Sequence, residues 1–218
     1  MKFQSAFVGD LSGSVGGLTA SRARGGVDYF RFRATPTNPN TARQVTVRQA
    51  LSQLSQLWQT SLTPAERDSW IFDVDGTELQ GLNAYQRANV PRIQAGLTRV
   101  DELTGSGPLT ISPVAVTQSL GTGRNIAFDN ADTWANTDDA GLLVYETRPV
   151  PPSRTFENRQ RFLGVVLGDS GTPPTSPQAE TTPWGNLGSS GDEARFRGLV
   201  TLPDGRFADV PIPAITLS

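Results

Sequence analysis

Two pairs of neighbouring carboxylates, Asp73 with Asp75 in DVDG and Asp138 with Asp139 in TDDAG, are the residues best equipped for chemistry in this sequence. Two carboxylates suffice for glycoside hydrolysis when one is held protonated and the other ionised. Their surroundings point elsewhere. Asp73 and Asp75 fall where a helix should end, and the spaced ligands and terminal Glu of a calcium loop are missing after Gly76. Asp138-Asp139-Ala140-Gly141 precedes an apolar run and reads as a turn into a strand. The glycine clusters Gly13-Ser14-Val15-Gly16-Gly17 and Gly121-Thr122-Gly123 lack the Lys-Ser/Thr of a phosphate loop, and neither opens a helix after a strand. The 218 residues include no histidine and no cysteine. That removes the commonest metal ligand and general base, along with disulfides, thiolate metal sites and thiol nucleophiles. A serine nucleophile would need a lysine base in place of histidine, and the single lysine is Lys2. The expectation is a protein that is not an enzyme, with no catalytic, cofactor-binding or metal-binding residues.

The stronger signal is arginine beside aromatics. LTASRA (18–23), the turn Arg24-Gly25-Gly26 and VDYFRFRA (27–34) read as a β-hairpin. Alternation puts Val27, Tyr29, Arg31 and Arg33 on one face of the second strand, with Asp28, Phe30 and Phe32 on the other. A two-stranded hairpin is marginal in water, so it must lie on something, either its own helices or another subunit, and a partner is the expectation. Arg22, Arg24, Arg31 and Arg33 with Tyr29, Phe30 and Phe32 could also stack on and neutralise nucleic acid. The scarcity of lysine and the overall charge of −2 argue against that. Arginine and aromatics are what protein interfaces enrich. Charge is uneven: residues 1–60 carry seven basic groups against Asp10 and Asp28, while the remainder carries twelve against nineteen acids. Such a split suits head-to-tail contact between copies, or docking on an acidic neighbour.

Several elements are needed to position these residues. Pro36 and Pro39 make TPTNPN (35–40) an extended strap. From Ala42 to about Thr60, Val47, Ala50, Leu51, Leu54, Leu57 and Trp58 form the stripe of an amphipathic helix. Thr63-Pro64-Ala65-Glu66 is a capping box with Pro at the first helical position, starting a helix that runs to about residue 73 and turns Trp70 inward. A third helical pattern covers 81–97, with a kink or break expected at Pro91. Three short helices of about 60 residues are marginal alone, which predicts support from elsewhere. Trp58 and Trp70 therefore join the hairpin residues as candidate partner contacts.

The junction DELTGSGP (101–108) has linker composition, and residues 109–218 read as all-β. Strands are predicted at 109–116, 124–128, 141–148, 161–168, 195–202 and 206–212. Pro203-Asp204-Gly205 turns the last pair, and Trp134 is a core candidate. Residues 169–193, rich in Gly, Pro, Ser and Thr, read as a long exposed loop. The predicted fold class is α+β: an extended arm with a β-hairpin (1–40), a helical anchoring domain (41–100), a linker (101–108) and an immunoglobulin- or fibronectin-like β-sandwich (109–218). No secretory signal is visible, and no stretch approaches the roughly 18 apolar residues that span a bilayer.

Residues 16–74, together with GLNAYQRANVPRI (81–93), resemble a recurrent pattern in proteins of tailed bacteriophages and prophages. Its pieces here are Gly17, Ser21-Arg22, Arg24-Gly25, Pro36, Asn38-Pro39, Thr41, Gln44, Arg48, Leu54-Ser55, Trp58, Leu62-Thr63, Glu66-Arg67 and Trp70. A second stretch, Arg148-Pro149, Pro152-Ser153-Arg154, Phe156 and Arg161-Phe162, is similar to one found in some β-sandwich tails of that family. The resemblance implies a structural component of the virion and supplies no catalytic residues. An auxiliary head protein of the decoration or cement kind leads, with a neck, tail or baseplate component as the alternative. The expected partners are a major capsid protein or neck and tail proteins, and further copies of the chain as a homo-oligomer. Rivals from other classes are a nucleic-acid-binding packaging factor using the hairpin, and a host-glycan adhesion module using the 169–193 loop or the sandwich edge.

Overall fold

The computed structural model describes residues 2–3, 13–15, 17–22, 28–33, 40–73, 79–119, 122–154, 157, 159–185 and 189–217. The chain divides into two compact units, residues 1–41 and 42–218.

In the first unit the expected hairpin becomes the centre of a four-stranded antiparallel sheet. β3 (Leu18–Arg22) and β4 (Asp28–Phe32) form the middle pair. β1 (Lys2–Phe3) joins β4 at one edge and β2 (Gly13–Val15) joins β3 at the other. Val15 faces Leu18 across a two-residue connection whose second residue, Gly17, sits at φ +84°, open to glycine at no steric cost. The edge strands carry no alternating apolar signal, so nothing in the sequence predicts them. The turn at 24–26 lies outside the described residues.

The second unit begins with three helices. α1 (Ala42–Thr60) buries Ala50 and Leu54 and half-buries Leu57 and Trp58, the predicted stripe. α2 (Pro64–Asp73) starts on the predicted capping box. The Thr63 N–H donates to Glu66 Oε2 at 2.6 Å, and the Glu66 N–H returns to Thr63 Oγ1 at 3.3 Å. α3 (Gly81–Ala95) is not broken at Pro91, contrary to one of the two expected outcomes there. Its last turn is held beyond the proline instead. The Leu97 N–H donates to Arg92 O at 2.9 Å and the Gly96 N–H to Ile93 O at 3.2 Å, with Gly96 at φ +78°. That Schellman closure, together with the many hydrogen bonds of the Arg92 side chain, offsets the one ladder bond the proline removes.

Among the described residues the rest of the unit holds seven strands: β5 (Ala115–Gln118), β6 (Gly123–Ala127), β7 (Gly141–Thr147), β8 (Gln160–Leu167), β9 (Gln178–Thr181), β10 (Glu193–Thr201) and β11 (Phe207–Thr216). They form two antiparallel sheets, β11-β10-β7-β8 and β5-β6-β9. Both sheets feed one apolar cluster, with Val116 and Ile126 from the smaller and Leu142, Val144, Val166, Phe196 and Val210 from the larger. Each fully buried side chain of this size contributes about 1.5–3 kcal/mol. Trp134 is in that cluster, 2% exposed, with its ring 5.3 Å from Phe128. β9 lies inside the stretch read as a structureless loop. QAET has no apolar alternation, and only pairing with β6 makes it a strand.

Two buried arginines tie these layers together. Arg124 on β6 meets Glu146 on β7, Nε and Nη2 donating to Oε1 at 2.9 and 2.7 Å, with both side chains fully buried. Thr182 donates to the other carboxylate oxygen at 2.5 Å. Arg92 on α3 is likewise fully buried. It donates to Thr98 O (2.7 Å), Thr201 Oγ1 (3.2 Å), Leu202 O (2.9 Å), and to Asp139 O and Oδ2 (2.9 and 2.5 Å). The support that the small helical bundle needs thus comes from the β-strands of the same chain. Residues 101–106, with linker composition, are bonded on both sides. Asp101 O accepts from the Trp70 indole at 2.8 Å, the Thr104 and Gly105 N–H groups donate to Asp204 O at 3.1 Å, and Ser106 O accepts from Arg206 at 3.2 Å.

Candidate functional site

The β3–β4 register decides which of the candidate interface residues share a face. Leu18 pairs with Phe32 and Ala20 with Phe30, while Thr19 pairs with Arg31 and Ser21 with Tyr29. Residues directly opposite project to the same side, so one face carries Leu18, Ala20, Phe30 and Phe32 and the other Thr19, Ser21, Tyr29 and Arg31. Phe32 is 87% exposed and Leu18 40%. Tyr29 and Phe30 are half-buried, Arg31 and Arg33 exposed. The Arg33 N–H is fixed on Gly17 O at 2.8 Å, which extends the pairing past the end of β4. Arg22 ends β3 with Asp28 as its backbone partner, and Arg24 lies outside the described residues. No described side chain of residues 1–41 is buried. Such a sheet offers an apolar face and an arginine–tyrosine face, and either can be covered by another surface.

Trp58 and Trp70 do not join this site. They belong to residues 42–218 and line the helical core on either side of Tyr85, with ring centroids 5.6 and 5.7 Å from it. Trp70 is 1% exposed. Burial is the first reason, and the Asp101 carboxylate beside the hydroxyl a further one, that the Tyr85 phenol is pushed well above its ordinary range.

Asp138 and Asp139 are occupied structurally. Asp138 accepts from the Ser170 N–H at 2.7 Å and its hydroxyl at 3.0 Å, which holds the carboxyl below the usual carboxylate range. Asp139 receives Arg92 and the Thr98 N–H, with its backbone at φ +58°. Asp73 ends α2 on the surface, and Asp75 lies outside the described residues. Among the described residues no three of His, Cys, Asp and Glu gather where they could hold a metal ion. No described helix is long and apolar enough to cross a membrane.

The residues that sequence reasoning passes over are Arg92, Arg124 and Glu146. One signal for Arg92 was present: it continues the spacing of Tyr85 and Ala88 along the buried face of α3, a place that an arginine takes only with acceptors waiting. No protein-family model matches this chain, and comparison with the curated proteins and with the solved structures finds no match.

Proposed function

We propose that this chain is a non-enzymatic structural component of a tailed-bacteriophage virion, with residues 1–41 as the docking element. The leading position is an auxiliary head protein of the decoration or cement kind. A neck, tail or baseplate component is the alternative within the class. The observation that carries this reading is the accessibility of the amino-terminal sheet, in which Phe32 is 87% exposed and no described side chain is buried. A sheet with both faces open gains its apolar burial from a second molecule, and arginine with tyrosine on the opposite face suits a fixed protein contact. The partners in this reading are a major capsid protein or neck and tail proteins, and further copies of the chain.

The strand order supports a finer reading of the β-region. If β5 to β11 are the strands A to G of a sandwich, the sheets are A-B-E and G-F-C-D. The immunoglobulin constant arrangement puts the fourth strand beside E. Here β8 pairs with β7 instead, the fibronectin-like variant of that plan. We infer a fibronectin-type sandwich carried on the same chain as the docking element.

Quantitative mass spectrometry of purified particles tests the function. Hundreds of copies per virion are expected of an auxiliary head protein, and six or twelve of a neck or baseplate component. Absence from washed particles, with the chain free in the lysate, overturns the reading.

A further inference from the structure

The segment from Arg148 to Arg161 holds four arginines, and a role in the particle leaves them unexplained. In the fold they gather around a cup of about 620 Å³ formed by the end of β7, the start of β8 and the residues Trp184, Ser189 and Asp192. Its lining includes Arg148, Arg154, Arg159, Arg161, Trp184 and Asp192, over a floor of buried Pro149 and Val150. The volume falls within the range of about 300–1,000 Å³ in which small-ligand sites lie.

Three of the four, Arg154, Arg159 and Arg161, are held by neighbours, while the Arg148 side chain is exposed. The Arg161 guanidinium lies 4.2 Å from the centre of the Trp184 ring, and its Nη1 donates to Pro183 O at 3.0 Å. The indole is itself pinned, Nε1 donating to Glu146 O at 3.2 Å. Arg159 donates through Nε and its backbone N–H to Glu157 Oε1, both at 3.0 Å, and Arg154 Nη2 lies 3.1 Å from Oε2. The Glu157 side chain is 1% exposed, so one sunken carboxylate orients two arginines. Asp192 is turned to its own loop, accepting from the Ser189 N–H at 2.8 Å. Four guanidinium groups against these two carboxylates leave a net charge of +2. Among the described residues, neither Arg148 nor Arg161 has a carboxylate within ion-pair distance.

We propose that this cup is a binding site for a small, multiply charged oxyanion, a phosphate- or carboxylate-bearing ligand. Arg148 and Arg161 contact the ligand, and Arg154 and Arg159 complete the field. The planar guanidinium fork matches both oxyanions bidentately, and Arg161, already oriented on Trp184, loses less freedom on binding. A nucleic-acid strand fits less well, because it needs a groove that tracks successive phosphates and this site is a single cup of about 620 Å³. The site is independent of the particle reading and stands or falls without it.

The test is calorimetric titration of the full chain with pyrophosphate and with citrate, in chloride buffer of matched ionic strength. One saturable site is expected. Arg148→Gln and Arg161→Gln should each weaken it by about tenfold, and Arg148→Glu should abolish it. Arg197→Gln, which loses only the exposed pair with Asp209 outside the cup, should bind as the unaltered chain does. Arg148→Gln stays decisive if Arg161→Gln unfolds, since the Arg148 side chain is exposed and substitution there leaves the core intact. Tighter pyrophosphate than citrate identifies the phosphate source, and the reverse order the carboxylate source. Absence of saturable heat with both probes overturns the site, as does binding that survives Arg148→Glu or falls equally in Arg197→Gln.

Discussion

Residues 1–41 and 42–218 use the same residue types in opposite ways. In the larger unit Tyr85, Trp70 and Trp134 are at most 2% exposed, and the two buried arginines find acceptors on several sides. In the smaller one the aromatic Phe32 is 87% exposed, and Arg31 and Arg33 face solvent. A guanidinium that loses water must find acceptors within its own chain, or keep its water until another molecule supplies them. The larger unit satisfies its two fully buried arginines, Arg92 and Arg124, internally, whereas the smaller one leaves Arg31 and Arg33 exposed.

The contrast breaks most severely at the Arg124–Glu146 pair. Glu146→Leu strands a fully buried guanidinium and removes the acceptor of Thr182, so unfolding in urea should show a loss of about 3–5 kcal/mol. The double variant Arg124→Met/Glu146→Leu should recover most of that loss, because an apolar pair avoids the desolvation of both charges. If the double variant is no better than the single, the pair is not what joins the sheets. Arg92→Met comes next. It frees Thr201 Oγ1, the carbonyls of Thr98, Asp139 and Leu202, and one carboxylate, and Asp139 can still turn to water because its side chain is 32% exposed. A loss of about 2–4 kcal/mol is expected, with the helices becoming susceptible to protease before the strands.

A smaller effect is expected at Thr63→Ala, about 1 kcal/mol, from the lost capping oxygen of α2. This site also marks what could be read in advance. Thr63-Pro64-Ala65-Glu66 predicts its own geometry because capping is local, completed within four residues of chain. The stripe of α1 and the Pro203-Asp204-Gly205 turn are legible for the same reason. β9 is not, because Gln178–Thr181 is a strand only by virtue of Gly123–Ile126 opposite it. The cluster of four arginines could be seen in the sequence as a composition, but not as a cup, because Trp184 and Asp192 reach it from another part of the chain. Arg92 lies between these cases: its helical position is readable, and its acceptors at Asp139, Thr201 and Leu202 are not.

Acid gives a gentler probe of the larger unit. Ser170 holds the Asp138 carboxyl below its ordinary range, so the contribution is present above the unfolded value of about 3.9 and is lost as pH falls through the lower folded value. Asp138→Asn should therefore be less stable than the unaltered chain at about pH 6, and the gap should narrow as pH falls below about 3.9. A gap that stays constant between those two conditions would mean that the Ser170 contacts do not depend on the carboxylate charge.

The smallest expected change in stability is the one that sharpens the contrast most. Phe32→Ser removes a large ring that buries almost nothing in the isolated chain, so urea unfolding should move by no more than about 0.5 kcal/mol. The same substitution should sharply reduce incorporation into particles if the ring is buried there against a neighbour, since anchoring aromatics dominate interface energies at about 2 kcal/mol or more each. The two readouts have to diverge. A loss of chain stability as large as that of Thr63→Ala would show that Phe32 already has its cover within the chain. Unchanged incorporation would remove this face from the docking surface and leave Tyr29 and Arg31, on the opposite side of the same strand, to carry the contact.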